Sequence, residues 1–176
     1  MGDLSISLLG SFEAALNSAP LTQFRTRSVQ ALLIYLVCEA DRPHQREALM
    51  ELLWPGMPQA SAQANMRQTL YRLRRLIPEV KGRDGEDLVP FLLANRQTIQ
   101  INPDAVYEAD VKSFTVLLLE GDPAQVVALY RGDFLAEFDL PDSESFEAWV
   151  AARRADYRRQ VLSALESLTA VHFQQG

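Results

Sequence analysis

Residues 61–78 read SAQANMRQTLYRLRRLIP and hold four arginines and no acid. A guanidinium fork matches phosphate oxygens or the guanine edge, and a carboxamide matches adenine. Asn65, Arg67, Gln68, Arg72 and Arg75 are therefore candidate contacts to the phosphates or bases of a nucleic acid. Residue type leaves open which of them touches a base, since roughly half to two-thirds of such contacts go to the backbone. The same stretch carries Met66, Leu70, Leu73 and Ile77 at i, i+4, i+7 and i+11, one side of an α-helix. The spacing predicts a helix over residues 61–77, with Ser61 as N-cap and Pro78 as its stop. One stripe would sit on a core. The other would present a basic, amide-bearing face suited to a DNA groove. The competing reading is a solvated basic face on an ordinary amphipathic helix. Arg74 falls nearer the apolar side, so a structural role competes with a binding one.

Further candidates flank this stretch. Arg25, Thr26 and Arg27 open an expected first helix, and His44 and Arg46 open a second. The free N–H groups at a helix start favour a phosphate, although His44 could equally cap its helix. Arg96 and Thr98 fall at the tip of an expected hairpin. Nothing points to an enzyme. No nucleophile stands beside a base, His44 and His172 lack ligand spacing, and no GxxxxGKS/T loop is present to cradle ATP. No cofactor and no metal is expected. The single cysteine, Cys38, reads as a small buried hydrophobe in a reducing compartment.

These residues need elements to hold them. The chain has 176 residues, 48% of them hydrophobic, enough for one large domain or two small ones and against disorder. The net charge of -6 is unevenly spread: residues 1–100 balance 11 Lys/Arg against 10 Asp/Glu, and residues 101–176 balance 6 against 13. Such asymmetry suggests two segments with different tasks. No apolar run reaches the ~18 residues of a membrane span, and the opening lacks the pattern of a signal peptide. A cytoplasmic protein is expected. Leu4, Ile6 and Leu8, then Phe12, Ala14 and Leu16, alternate with other residues as strands of a small antiparallel sheet. Val29, Leu32, Leu33, Leu36 and Val37 give the first helix one apolar face, and Ala48, Leu49, Leu52 and Leu53 give the second its own. After Pro78, KGRDGED is expected to be a mobile loop. A hairpin follows, with strands at 89–93 and 98–101. Everything after it is expected to be helical. Val111, Phe114, Leu117 and Leu118 share a face, Gly121-Asp122-Pro123 makes a turn, and a short helix covers 124–130. Gly132 is expected to end a helix. Asp142-Ser143-Glu144-Ser145 reads as capping of a long helix over about 145–172, whose stripe holds Trp149, Val150, Tyr157, Val161, Leu162, Leu165 and Leu168, with Val171 nearby.

Strands, three helices and a hairpin with a basic tip follow the order of a winged helix-turn-helix, whose third helix enters the major groove. The runs FRTRSVQALLIYL, RPHQREALMELLWP, NMRQTLYRLRRLIP and LLANRQTIQINP, then DVKSF, LYRGDFLAEF and DSESFEAWVAARR, resemble the Streptomyces antibiotic regulatory protein family. The resemblance covers nearly the whole chain in order. It implies an α+β, mostly helical chain: a response-regulator-type winged helix-turn-helix DNA-binding domain over 1–103, then the start of a tetratricopeptide-like bacterial transcriptional activation domain over 104–176. It implies DNA contact by Arg96 and Thr98 on the wing. The implied function is a sequence-specific transcriptional activator. Its partners would be double-stranded DNA, RNA polymerase or other transcription proteins, and a second copy on repeated sites. The rival is a protein–protein interaction scaffold whose winged helix no longer binds DNA. Two positions depart from the family pattern. Ser28 stands where a basic residue is common, which weakens one phosphate contact, and Asn17-Ser18 stands where Gly is common. Family members continue through further helix pairs. The chain is therefore expected to be a fragment of a larger regulator, with part of its last apolar stripe exposed or covered by a second copy.

Overall fold

The computed structural model describes residues 2–174, with side chains placed through residue 170. Buried Leu4 and Ile6 alternate with Ser5 in β1 (Leu4–Ser7). β2 (Glu13–Leu16) turns through Asn17 and Ser18 into β3 (Ala19–Pro20), with Leu16 opposite Ala19. Both turn residues have positive φ, 54° and 66°. That is the left-handed geometry whose twist matches a two-residue hairpin. Asn17 holds it without glycine, because its Oδ1 accepts the amides of Gly2 and Asp3 at 2.5 and 3.1 Å.

α1 (Arg27–Cys38) buries Ala31 and Ile34 as well as the expected Val29, Leu32, Leu33, Leu36 and Val37. A helix apolar on so many sides belongs in the middle of a core. β4 (His44–Gln45) leads into α2 (Arg46–Leu53), which buries Leu49, Met50 and Leu53 but leaves Ala48 exposed. α3 (Gln59–Leu76) buries Met66, Leu70 and Leu73, together with Ala62 and Thr69. α1 packs on both α2 and α3. α3 starts earlier than its spacing suggested. The amide of Ala62 reaches the carbonyl of Pro58 at 3.0 Å, so Ser61 lies inside the first turn and caps nothing.

β5 (Glu79–Lys81) pairs with β6 (Leu88–Pro90), Val80 opposite Val89. β7 (Leu92–Ala94) pairs with β8 (Thr98–Ile101), Leu93 opposite Gln100. The expected strand 89–93 is thus two strands in two hairpins, broken at Phe91. That ring is fully buried and meets Tyr107 edge-on at 5.6 Å. The expected loop connects the two strands of this first hairpin, β5–β6, closed by Gly82 N–H on the Asp87 carbonyl at 2.9 Å. β8 also pairs with β4, giving a sheet in the order β4-β8-β7.

β9 (Glu108–Ala109) is a further strand, so the chain beyond residue 103 is not wholly helical. α4 (Asp110–Glu120), α5 (Pro123–Leu129) and α6 (Glu144–Gln174) follow. Gly121 ends α4 in the left-handed conformation, φ 72°. Asp122 then caps α5 by accepting the Gln125 amide at 3.0 Å, and Pro123 opens it. The described residues therefore form a mixed α/β protein with six helices and small sheets. Among them no helix is long and apolar enough to cross a membrane.

The chain forms two compact units that interleave in sequence, where a division near 103 was expected. The first comprises residues 1–5, 14–107 and 139–147. Ser143 binds its last segment in: its hydroxyl donates to the Leu52 carbonyl at 2.5 Å and accepts the Phe146 amide at 3.1 Å. The second unit comprises 6–13, 108–138 and 148–176. Here the Asp110 carboxylate accepts the amides of Leu8 and Leu9 at 2.9 Å. Gly10 N–H reaches the Asp133 carbonyl at 3.1 Å, and a Cβ on Gly132 would stand 3.4 Å from the Gly10 Cα. Gly132 is small for that approach and does not end α5, which stops at Leu129. Phe114 and Phe134 pack on Tyr157 of α6, with centroids 5.3 and 5.2 Å away. Farther along α6, Val161 is buried while Leu162 and Leu165 are 60% and 40% exposed. The expectation of a partly exposed stripe holds at these two leucines, and the side chain of Val171 lies outside the described residues.

Candidate nucleic-acid interface

All the candidate residues lie in the first unit. At about 100° per residue, Gln63, Arg74, Arg67, Tyr71, Ala64, Arg75 and Gln68 sweep one continuous sector of α3, and all are exposed. Arg72 closes the sector, half-buried. No residue of α3 is acidic. Arg74 stands with the exposed group, which settles its side of the helix. A groove runs along each flank of this sector.

The first groove, about 620 Å³, is lined by Gln45, Arg46, Glu47, Met50, Gln63, Met66, Arg67, Arg96 and Gln97. It brings together arginines from α2, α3 and the β7–β8 turn. Within the turn, Asn95 Oδ1 accepts the amides of Gln97 and Thr98, both at 2.7 Å. Arg46 N–H donates to the Gln97 carbonyl at 2.8 Å, which ties the turn to the start of α2. Arg46 Nε is buried and has no hydrogen-bond partner. Burial, and after it the charge of Arg74, pushes the Arg46 guanidinium below its ordinary pKa. A desolvated cation beside a like charge is stabilised by an incoming anion. Glu47 is the acid on this wall.

The second groove, about 330 Å³, is lined by Gln23, Arg25, Gln68, Tyr71, Arg72, Arg75 and Leu76, none of them acidic. Arg25 has φ 64°, and the Thr26 amide reaches back to the Phe24 carbonyl at 2.8 Å. This three-residue turn is of the rare, strained hand. Buried Phe24 anchors it, and the exposed Arg25 side chain lies against α3. On the α3 wall of this groove, Arg75 Nη1 donates to the Tyr71 hydroxyl at 3.2 Å.

Five candidates stand apart from these grooves. His44 is buried in β4, its Nε2 2.7 Å from the Glu39 carbonyl and its ring edge-on to Tyr35. It neither caps α2 nor faces a groove. Arg27 is paired with Asp139, whose carbonyl it also reaches at 3.0 Å. Thr26 precedes α1 without a side-chain cap. Asn65 is half-buried and donates to Met57 Sδ at 3.3 Å. Thr98 is half-buried in β8, opposite Gln45. Sequence reasoning passed over Gln63 and Gln97, and also Tyr71. The helical period puts Tyr71 outside, but a phenol has neither the guanidinium nor the amide chemistry of the other candidates.

No family model matches the chain, and no curated protein matches it. A solved structure of Mycobacterium tuberculosis EmbR in complex with a low affinity phosphopeptide is similar to it, at 21% sequence identity and a TM-score of 0.64. The match covers 96% of this chain and 50% of that one, so this chain spans about half the length of EmbR there. Across nearly all of its length the chain shares the EmbR fold.

Proposed function

We propose that this chain is a sequence-specific DNA-binding part of a transcriptional activator. In this reading the first unit is a winged helix-turn-helix. α3 lies in the major groove, which admits one α-helix, and the β7–β8 turn is the wing at an adjacent backbone. The observation that carries the reading is the acid-free face of α3 between two grooves that gather Arg46, Arg67 and Arg96 on one side and Arg25, Arg72 and Arg75 on the other. Grooves basic on both sides of one helix suit two phosphate backbones flanking one major groove. The motif resemblance and the shared EmbR fold support the same reading. The second unit is proposed as the start of a tetratricopeptide-like activation domain that meets RNA polymerase or other transcription proteins, with no catalytic role.

Binding of the full chain to random duplex DNA, followed by anisotropy across a salt series, tests this. Affinity is expected to fall steeply, with a log–log slope near -0.9 per neutralised phosphate. A flat response, or no binding at low salt, favours the interaction-scaffold reading instead.

A further inference from the structure

We propose that Tyr71 determines sequence specificity by reading thymine through its 5-methyl group, an inference that rests on α3 lying in the major groove. Tyr71 is 57% exposed, more than any other large apolar residue described in the first unit. Burial therefore does not explain it. A phosphate contact would use only the phenol hydroxyl and leave the exposed ring unaccounted for. It stands mid-sector on α3, on the wall of the second groove and within about 40° of both Arg67 and Arg75 around the helix axis, on the face that a helix docked in the major groove turns toward the base edges. The ring is held in place: Arg75 donates to its oxygen at 3.2 Å, and the guanidinium carbon lies 5.8 Å from the ring centroid. Because the oxygen accepts from Arg75, its own O–H is left to donate. Thymine presents a methyl group and the O4 acceptor side by side on its major-groove edge. An apolar ring carrying one free donor is complementary to that pair. The flanking arginines would then serve phosphates and guanines, and Tyr71 would place an A·T pair within the site.

The test begins with sites selected by the full chain from a random duplex pool. Each thymine is replaced in turn by deoxyuridine, which removes the methyl group and keeps O4 and the base pairing. The wild-type protein is expected to lose about fourfold in affinity at one or two adjacent thymines, the worth of one buried methyl group. Tyr71→Ala is expected to bind thymine and uracil duplexes alike, and Tyr71→Phe to keep the methyl dependence. Circular dichroism confirms that each variant is folded, and the wild-type scan stands without any variant. Salt-dependent binding with no methyl-sensitive position, or with the fourfold loss retained in Tyr71→Ala, overturns this assignment and leaves the DNA-binding reading intact. Absence of binding to any duplex overturns both.

Discussion

Ser143 has no exposed surface, and its hydroxyl serves two helices. It accepts the amide of Phe146 in the first turn of α6 and donates to Leu52, one of the last carbonyls of α2. Such carbonyls have no partner within their own helix. Ser143→Ala removes the cap and leaves that carbonyl without its donor, so it is expected to cost about 1–3 kcal/mol of stability by denaturant melting. A loss below ~0.5 kcal/mol would mean that water replaces the hydroxyl. Half of this arrangement was legible in the sequence: Asp-Ser-Glu-Ser before an apolar run is a helix start. The other half was not, because Leu52 lies 91 positions away. His44 shows the same limit. Its type and place suggested a phosphate ligand, and only the fold shows the Glu39 carbonyl 2.7 Å from its ring nitrogen.

α3 divides its labour by side. Leu73 is fully buried, and Leu73→Ala is expected to cost about 2–5 kcal/mol of stability. Arg67 is exposed on the first groove, and Arg67→Ala is expected to leave the melting temperature unchanged while weakening DNA binding, by ~1–3 kcal/mol if it contacts a base. The reverse pattern would put the helix the wrong way round. Its period was plain in the sequence because four apolar residues repeat at helical spacing. Its start was not, because Ser61 is a better N-cap by type than Pro58, and the chain enters the helix at Pro58 all the same. The strands after it were read as one for a similar reason. The run from Val89 to Leu93 is apolar without a break, and nothing local says that Phe91 turns inward between two hairpins.

Across the whole chain, acid sensitivity should concentrate where carboxylates are held low. Hydrogen bonding from Arg158, and then from Tyr130, holds the Asp133 carboxyl at about 2 against an ordinary 3.8. A group depressed in the folded state contributes stability above its unfolded pKa and loses it as pH falls toward the folded one. Asp133→Asn is therefore expected to melt below wild type at pH 7, with the gap closing between about pH 4 and pH 2. A gap that stays constant with pH would assign the loss to packing. The pair is largely solvent-exposed, so the effect should be modest and shrink with salt. The unequal charge of the two halves was legible from composition alone. The interleaving of the units was not. It depends on contacts such as Leu8 with Asp110, 102 positions apart, and no periodicity encodes a partner at that distance.

The first unit receives its last segment, residues 139–147, only after residues 108–138 of the other unit have been made. A ribosome adding roughly 5–20 residues per second needs about 1.5–6 s for the 31 residues between. During that interval α1, α2 and α3 already exist as chain, but Ser143 has not arrived to close α2 and Asp139 has not arrived to meet Arg27. The nascent protein therefore passes through an age at which its basic helix has been made and its scaffold is unfinished.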